Sequence, residues 1–304
     1  MDSKFNFVST PHITDATEQT PAPISIGFWQ AAGHKFSHDR LSMTCAAILI
    51  VLVLVAILGP VLSSINPNQL HVNQQNLAPN QIYWFGTDHL GRDLFTRVCL
   101  GVRVSLIVAL VATLLSMVFG TIYGMLMSYF GGWVDSLLMR IIEIFNSLPS
   151  LLVTMIIMTV LGNGIGTMLF ALAITSWAGA ARQARGLVLQ LRDTDYVTAA
   201  IMLNTPLWKI MSRHFVPNMM SILILDIGQS IPTNIFAEAS LSFLGLGIQA
   251  PNTSLGILIA EGQNQMLQHA SQLYIPILVL VIIVLAFNIV GDGLRDALDP
   301  KFKA

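Results

Sequence analysis

Long uncharged apolar runs alternate along this chain with short segments that hold nearly all of its charge. From Leu41 to Thr87 there is no Asp, Glu, Lys or Arg, and Met43 to Leu62 supplies about the 20 apolar residues that a helix needs to span a bilayer. A second run extends from about Val104 to Phe130, with Gly120 and Gly124 at a small-xxx-small spacing that lets another helix approach closely. Residues 144–181 are uncharged and too many for one span, and Gly162-Asn163-Gly164-Ile165-Gly166 marks the turn between a third and a fourth. The third is expected to begin near Leu137, with Arg140 and Glu143 paired on one face near its cytoplasmic end and Pro149 kinking it. A fifth span follows Pro217 and runs to about Leu246, and a sixth runs from about Tyr274 to Val290. The pattern predicts an all-α polytopic membrane protein with six transmembrane helices.

The flanks read differently. Residues 1–25 mix Ser, Thr, Pro, Asp and Glu with little hydrophobic periodicity, which predicts a disordered cytoplasmic tail. Residues 26–42 place Phe28, Trp29 and Phe36 among Gln30, His34, Lys35, His38 and Arg40; this suits an amphipathic helix at the membrane surface, or equally an unstructured lead-in. The first span starts too far from the N-terminus for an ordinary signal peptide and is expected to stay in the mature protein. A six-helix membrane domain is thus expected over 43–294, with 295–304 as a cytoplasmic C-terminus.

Composition supports the class: 54% hydrophobic and 10% charged residues, with a mean hydropathy of +0.69, lie far from a soluble domain. The net charge of -1 says nothing of nucleic acid, and no nucleic-acid partner is expected. Position is more telling than balance. Of the fifteen Lys and Arg residues, all but Arg92, Arg97 and Arg103 fall on the side of the termini and of the 182–218 loop, so the positive-inside rule puts that side in the cytoplasm. Cys45 and Cys99 form no disulfide framework and read as packing residues. No phosphate-binding loop, H-E-x-x-H pair or G-x-S-x-G elbow is present, so neither catalysis, metal nor cofactor is expected. His34 and His38 share one helical face, and beside Lys35 and Arg40 they suit an interface better than a metal.

Two polar stretches remain. The 182–218 loop carries five Lys and Arg residues and is long enough to fold into short helices, which fits a docking surface for a soluble partner or a solvated basic loop. In the fifth span Asp226, Ser230, Asn234 and Glu238 recur every four positions beside Gln229 and Thr233. A carboxylate facing lipid costs roughly 2.5–3.5 kcal/mol at mid-bilayer, so this stripe should face protein or water. It would line an aqueous substrate path, or else make interhelical hydrogen bonds with Glu238 reaching the headgroups. Pro232, within it, would bend the helix.

The loop also carries a resemblance. Thr198-Ala199-Ala200, Asn204 and His214-Phe215-Val216-Pro217 keep the spacing of the "EAA" loop of permease subunits in bacterial ABC importers. Phe85-Gly86-Thr87-Asp88-His89-Leu90-Gly91-Arg92-Asp93, Gly131-Gly132-Trp133-Val134-Asp135, the run Ala237 to Gly247 and the run Gly291 to Pro300 resemble the dipeptide, oligopeptide and nickel branch of that family, and its "C" subunit in particular. The resemblance implies an extracytoplasmic substrate-binding protein that delivers peptide, a second permease subunit that completes the path, and two cytoplasmic ATP-binding subunits that drive alternating access. It implies that Asp195, Ala199, Ala200, Asn204, His214 and Pro217 belong to a cytoplasmic coupling helix and its turn, with Pro217 at the start of span five. Asp226, Gln229, Ser230, Asn234 and Glu238 are the candidate path residues. Two departures stand out: Thr198 replaces the Glu of the pattern, and Asn204 replaces its Gly, although Asn tolerates φ > 0 better than most residues. The alternative is an ion-coupled secondary transporter or channel with Asp226 and Glu238 as its sites.

Overall fold

The computed structural model describes residues 28–63, 65–67, 69–249 and 251–298; the expected tail at 1–25 and the last residues of the C-terminus lie outside them. The described residues are almost wholly helical. α1 (Phe28–His38) leads into α2 (Arg40–Leu62), and they are separated by Asp39, whose side chain accepts from the Leu41 N–H as an N-cap. The first span therefore begins at Arg40, inside the stretch expected to be interfacial. On α1 the His34 and His38 rings lie 4.2 Å apart on an exposed face.

α3 (Leu94–Phe130) is 37 residues long and starts ten residues before the expected Val104. At about 1.5 Å per residue it exceeds the hydrocarbon thickness, and its first turns stand clear of it. Arg97 and Arg103 are tolerated on this helix because each has partners. The Arg103 guanidinium donates to the carbonyls of Ala56 and Ile57 on α2 at 3.3 and 3.1 Å. Pro60 lacks the N–H that would have taken the Ala56 carbonyl, so the arginine satisfies what the proline frees.

The largest difference from expectation is the third span. Pro149 does not kink one helix; α4 (Gly132–Ser147) and α5 (Ser150–Leu161) are separate and bent by 87°. The Leu148–Pro149 step is extended, as the residue before a proline prefers, and Pro149 then stands as the N-cap of α5. Arg140 and Glu143 pair at 2.7 Å on the exposed face of α4. α6 (Ile165–Arg192), α9 (Val216–Leu241) and α11 (Ser271–Leu298) complete the spans: five helices are long and apolar enough to cross a membrane, and up to six if the bent pair counts as one. α11 continues past 294, so no break separates the membrane domain from the start of the C-terminus.

α3 is the central post. It packs most extensively on α6, where Gly120 and Gly124 let the backbones meet, and also on α9 and α2. Cys45 and Cys99 are free and buried. At one end of the bundle lies the 63–93 loop together with α10 (Leu255–Asn264); at the other lie α7 (Asp195–Met202) and the one-turn α8 (Leu207–Ile210).

Candidate functional site

The bend between α4 and α5 opens a cavity of about 590 Å³ against α6 and α9. α9 contributes Gln229, Ser230, Thr233 and Asn234; α6 contributes Thr175 and Ser176; the bend contributes Asn146 and Ser150. Among the described residues no charged side chain lines it. Its wall is set by a polar chain, with the Ser176 hydroxyl shared between the Leu172 carbonyl at 2.8 Å and Asn234 Oδ1 at 3.2 Å and the Asn234 side-chain amide donating to Thr113 Oγ1 of α3 at 2.8 Å. The amide is thereby held in one orientation, and its burial costs little because both ends are satisfied.

The polar stripe does not act as a unit. Gln229, Ser230 and Asn234 reach the cavity, whereas Asp226 and Glu238 do not line it. Glu238 is fully buried, and its carboxylate accepts from Ser105 of α3 at 2.6 Å and from Ser242 at 2.7 Å, while Ser105 Oγ accepts from the Leu255 N–H of α10. It clasps three elements and reaches no headgroup. Asp226, toward the α7 end, faces Gln183 of α6, whose amide nitrogen donates to both carboxylate oxygens at 3.1 and 3.0 Å in the orientation that satisfies both groups. A residue every four positions drifts by about 40° per step around a 3.6-residue helix, so one stripe meets different neighbours at its two ends.

The 182–218 stretch is more helical than a loop. α6 carries through Arg192, and helix resumes at Leu207 and continues through a π turn at Met211–Phe215 into α9. The true connection is α7 with short turns on either side. Val197 of α7 packs with Val188, Ile210 and Phe215, and Ala200 also faces inward. Ala199 and Asp195 are exposed, and the His214 ring lies 5.8 Å from that of Tyr196. Asn204 takes φ 54°, the left-handed conformation that ends α7, and the Thr205 N–H then bonds the Ala200 carbonyl at 3.1 Å. Pro217 stands just after the π turn, whose widened backbone accommodates the missing N–H within a continuous helix. The α6 end is anchored: Arg185 forks onto Asp135 at 2.7 and 2.5 Å, and Arg192 donates to the Ser128 carbonyl at 3.0 Å. What this rigid mount presents outward is apolar: Met202 is 81% and Leu203 80% exposed, with Trp208 beside them. An apolar Met-Leu pair inside a polar loop was the available signal for this knob, which the motif residues alone did not indicate.

At the opposite end, the Phe85–Asp93 motif folds on its own backbone. Gly86 and Gly91 both take φ 78°, and a Cβ there would stand 2.3 Å from the Leu77 carbonyl oxygen and 2.0 Å from that of His71. Asp88 accepts from the Leu90 and Arg92 N–H groups at 2.8 and 2.9 Å and from the Arg92 and Arg97 guanidiniums at 2.7 Å each. Arg97 continues to Glu261 of α10 at 2.5 Å. Asp88, Glu261 and His89 could crowd a cation, but the two guanidiniums already engage both carboxylates. Burial pushes the Asp88 pKa up, yet the Arg92 N–H and the charges of Arg97 and Arg92 outweigh it and hold the carboxyl below its usual range. The folded pKa being depressed, the Asp88 contribution is complete above the unfolded value of about 3.9 and is lost as pH falls below it. Asp88→Asn should therefore lower the thermal midpoint in detergent at neutral pH, where the contribution is complete, and flatten the fall of the midpoint below about pH 4, where the native chain loses it.

Comparison with known proteins identifies the family of the chain. Residues 116–304 match the profile of the family described as binding-protein-dependent transport system inner membrane component, and residues 27–79 match the N-terminal transmembrane domain of oligopeptide transport permease C. The chain belongs to this family of ABC transporter permeases. The dipeptide transport permease DppC of Bacillus subtilis (strain 168) is 41% identical over 92% of this chain and 88% of its own length. OppC, the oligopeptide transport permease of the same strain, is 37% identical over 92% of each chain. The glutathione transport permease GsiD of Pectobacterium atrosepticum is 32% identical over 99% of this chain and 98% of its own. Among solved structures, the inward-facing MetNI methionine ABC transporter matches with a TM-score of 0.51 at 18% identity, covering 66% of this chain and 94% of that one, which shows the shared fold. The family is one of multi-pass membrane permeases and not of enzymes, and dipeptide and oligopeptide permeases are among the relatives found.

Proposed function

We propose that this permease is one of two membrane subunits of an ATP-driven peptide importer, with its α7 end and both termini in the cytoplasm. The observation that carries the reading is the exposed apolar knob of Met202, Leu203 and Trp208 at this end of the bundle. Left in water it is unfavourable; seated in a cleft of an ATP-binding subunit it supplies apolar anchors of the kind that dominate interfaces. Asp195 and Ala199 would flank that contact, Ala200 packs the helix against its own subunit, and Asn204, His214 and Pro217 fix the turn and the following helix. Because α7 joins α6 and α9 through short turns, a rigid-body push on it reaches both cavity walls.

The path itself we assign to the cavity of Gln229, Ser230, Thr233 and Asn234, completed by a second permease subunit across its open side. Hydroxyls and amides without charge suit the amide backbone that peptides share whatever their side chains, consistent with relatives named for dipeptides, oligopeptides and glutathione. Asp226 and Glu238 are left with structural roles, which removes the sites that an ion-coupled transporter would use. The test is mass spectrometry of what co-purifies with the tagged chain from its native membrane, joined to peptide uptake by Ser230→Trp. A second six-span permease and ATP-binding subunits, with uptake by the variant near background and the complex intact, are expected. Recovery of the chain alone, or full uptake by Ser230→Trp, would refute the respective part.

A further inference from the structure

The exposed side of α2 holds a second, very different hollow. It is a groove of about 540 Å³ walled by Leu54, Val55 and Leu58 of α2, Ile82 and Trp84 of the 63–93 loop, and Phe95 at the start of α3. From Leu58 down to Val51 the wall descends about 10 Å along the helix, from the level where α2 ends into the hydrocarbon. The exposed Trp84, its ring centroid 4.9 Å from that of Phe95 and tilted by 55°, stands where interfacial tryptophans gather. The upper end of the groove is not apolar: it is closed by Ser63 and Asp93.

Asp93 is 2% exposed and uses one carboxylate oxygen to cap α3, accepting from the N–H and the hydroxyl of Thr96. Its other oxygen, Oδ1, has no hydrogen-bond partner among the described residues, and no Lys or Arg there pairs with it. A buried carboxylate left half-satisfied is strongly unfavourable, and the missing element is a hydrogen-bond donor, best a cationic one. We propose that this groove is a lipid site selective for a phospholipid with a primary ammonium headgroup, of the phosphatidylethanolamine class, with one acyl chain along α2 and the ammonium donating to Asp93. The site is separate from the polar cavity between α5, α6 and α9 and does not depend on what that cavity carries.

Phosphatidylcholine is the informative control, since it keeps the positive charge but has no N–H to give. The transporter complex, purified with its partner subunits, is titrated with phosphatidylethanolamine, phosphatidylcholine and phosphatidylglycerol of identical chains and read by native mass spectrometry. Phosphatidylethanolamine should be retained roughly tenfold more tightly than phosphatidylcholine, the size expected of one charge-assisted hydrogen bond. Asp93→Asn, which still caps α3, should bring the two lipids to parity without losing partner subunits. Val55→Trp, which fills the groove from its lipid side, should reduce retention of all three lipids alike, and decides the matter if the Asp93 variant fails to assemble. Equal retention of phosphatidylethanolamine and phosphatidylcholine by the native complex, or a preference that survives Asp93→Asn, overturns the proposal. A disulfide cross-link from Leu54→Cys to the second permease subunit, with no lipid retained, would assign the groove to that subunit and overturn it as well.

Discussion

Leucine at Gly124 is expected to leave little or no folded permease in the membrane. A Cβ on Gly124 would stand 2.3 Å from the Ala181 carbonyl oxygen and 2.9 Å from the Ala184 Cβ, and one turn away a Cβ on Gly120 would stand 2.5 Å from the Trp177 carbonyl oxygen. The obstructing atoms are backbone or an alanine Cβ, so no rotamer change relieves them, and α3 and α6 must separate. In lipid that separation is not resisted by a hydrophobic driving force, since close packing is what holds such helices together. The loss should exceed the ~1–3 kcal/mol usual for overpacking, because the whole α3–α6 seam is affected. It also carries away the cavity wall at Thr175 and Ser176 and the mount of α7. Thermal unfolding in mild detergent and the yield of membrane-inserted chain are the readouts, with Gly124→Ala giving a graded, smaller loss. A Gly124→Leu chain melting with the native one would show that the two helices do not meet there.

The second large effect is functional and should leave the fold alone. Met202→Asp with Leu203→Asp is expected to abolish ATP-binding-subunit association and peptide uptake while insertion and thermal midpoint stay at the native level. Both side chains are exposed, so nothing in this subunit loses a contact. Burying each of these side chains in a cleft contributes roughly 2 kcal/mol, about thirtyfold in affinity, and each new carboxylate adds its own desolvation cost. These positions test the interface more cleanly than Ala200, whose side chain packs inward, so that a bulky substitution there would disturb α7 itself. Quantitative pull-down of the ATP-binding subunits is the measurement, and undiminished binding would remove the knob from the interface.

Much of this architecture could be read before any coordinates. Apolar runs over α2, α3, α6, α9 and α11 had to be helices, because a helix satisfies every backbone group within its own segment and lipid offers no other partner. Gly120 with Gly124, Arg140 with Glu143, and the left-handed Asn204 are local facts, carried by spacing or residue type, and the structure has them. Pro149 was visible, but the choice between a kink and an 87° break depends on whether α5 finds a wall to lie on, here α6. The outer cluster was half visible: the Phe85–Asp93 motif stood out, but its partner Glu261 lies far along the chain and has no local signal.

The sequence by itself thus determined the class, the membrane crossings and the motifs that place the chain in its family, since these follow from hydrophobic length, from backbone hydrogen bonding and from residue types at short separations. Only the tertiary structure decided which polar residues of α9 face the cavity. Asn234 and Glu238 are four residues apart on one polar stripe, yet Thr113 and Ser176 hold the first at the cavity wall while Ser105 and Ser242 enclose the second. The reason is that a helix fixes only the angle between its side chains; what each angle meets is set by neighbouring helices that the local sequence does not encode.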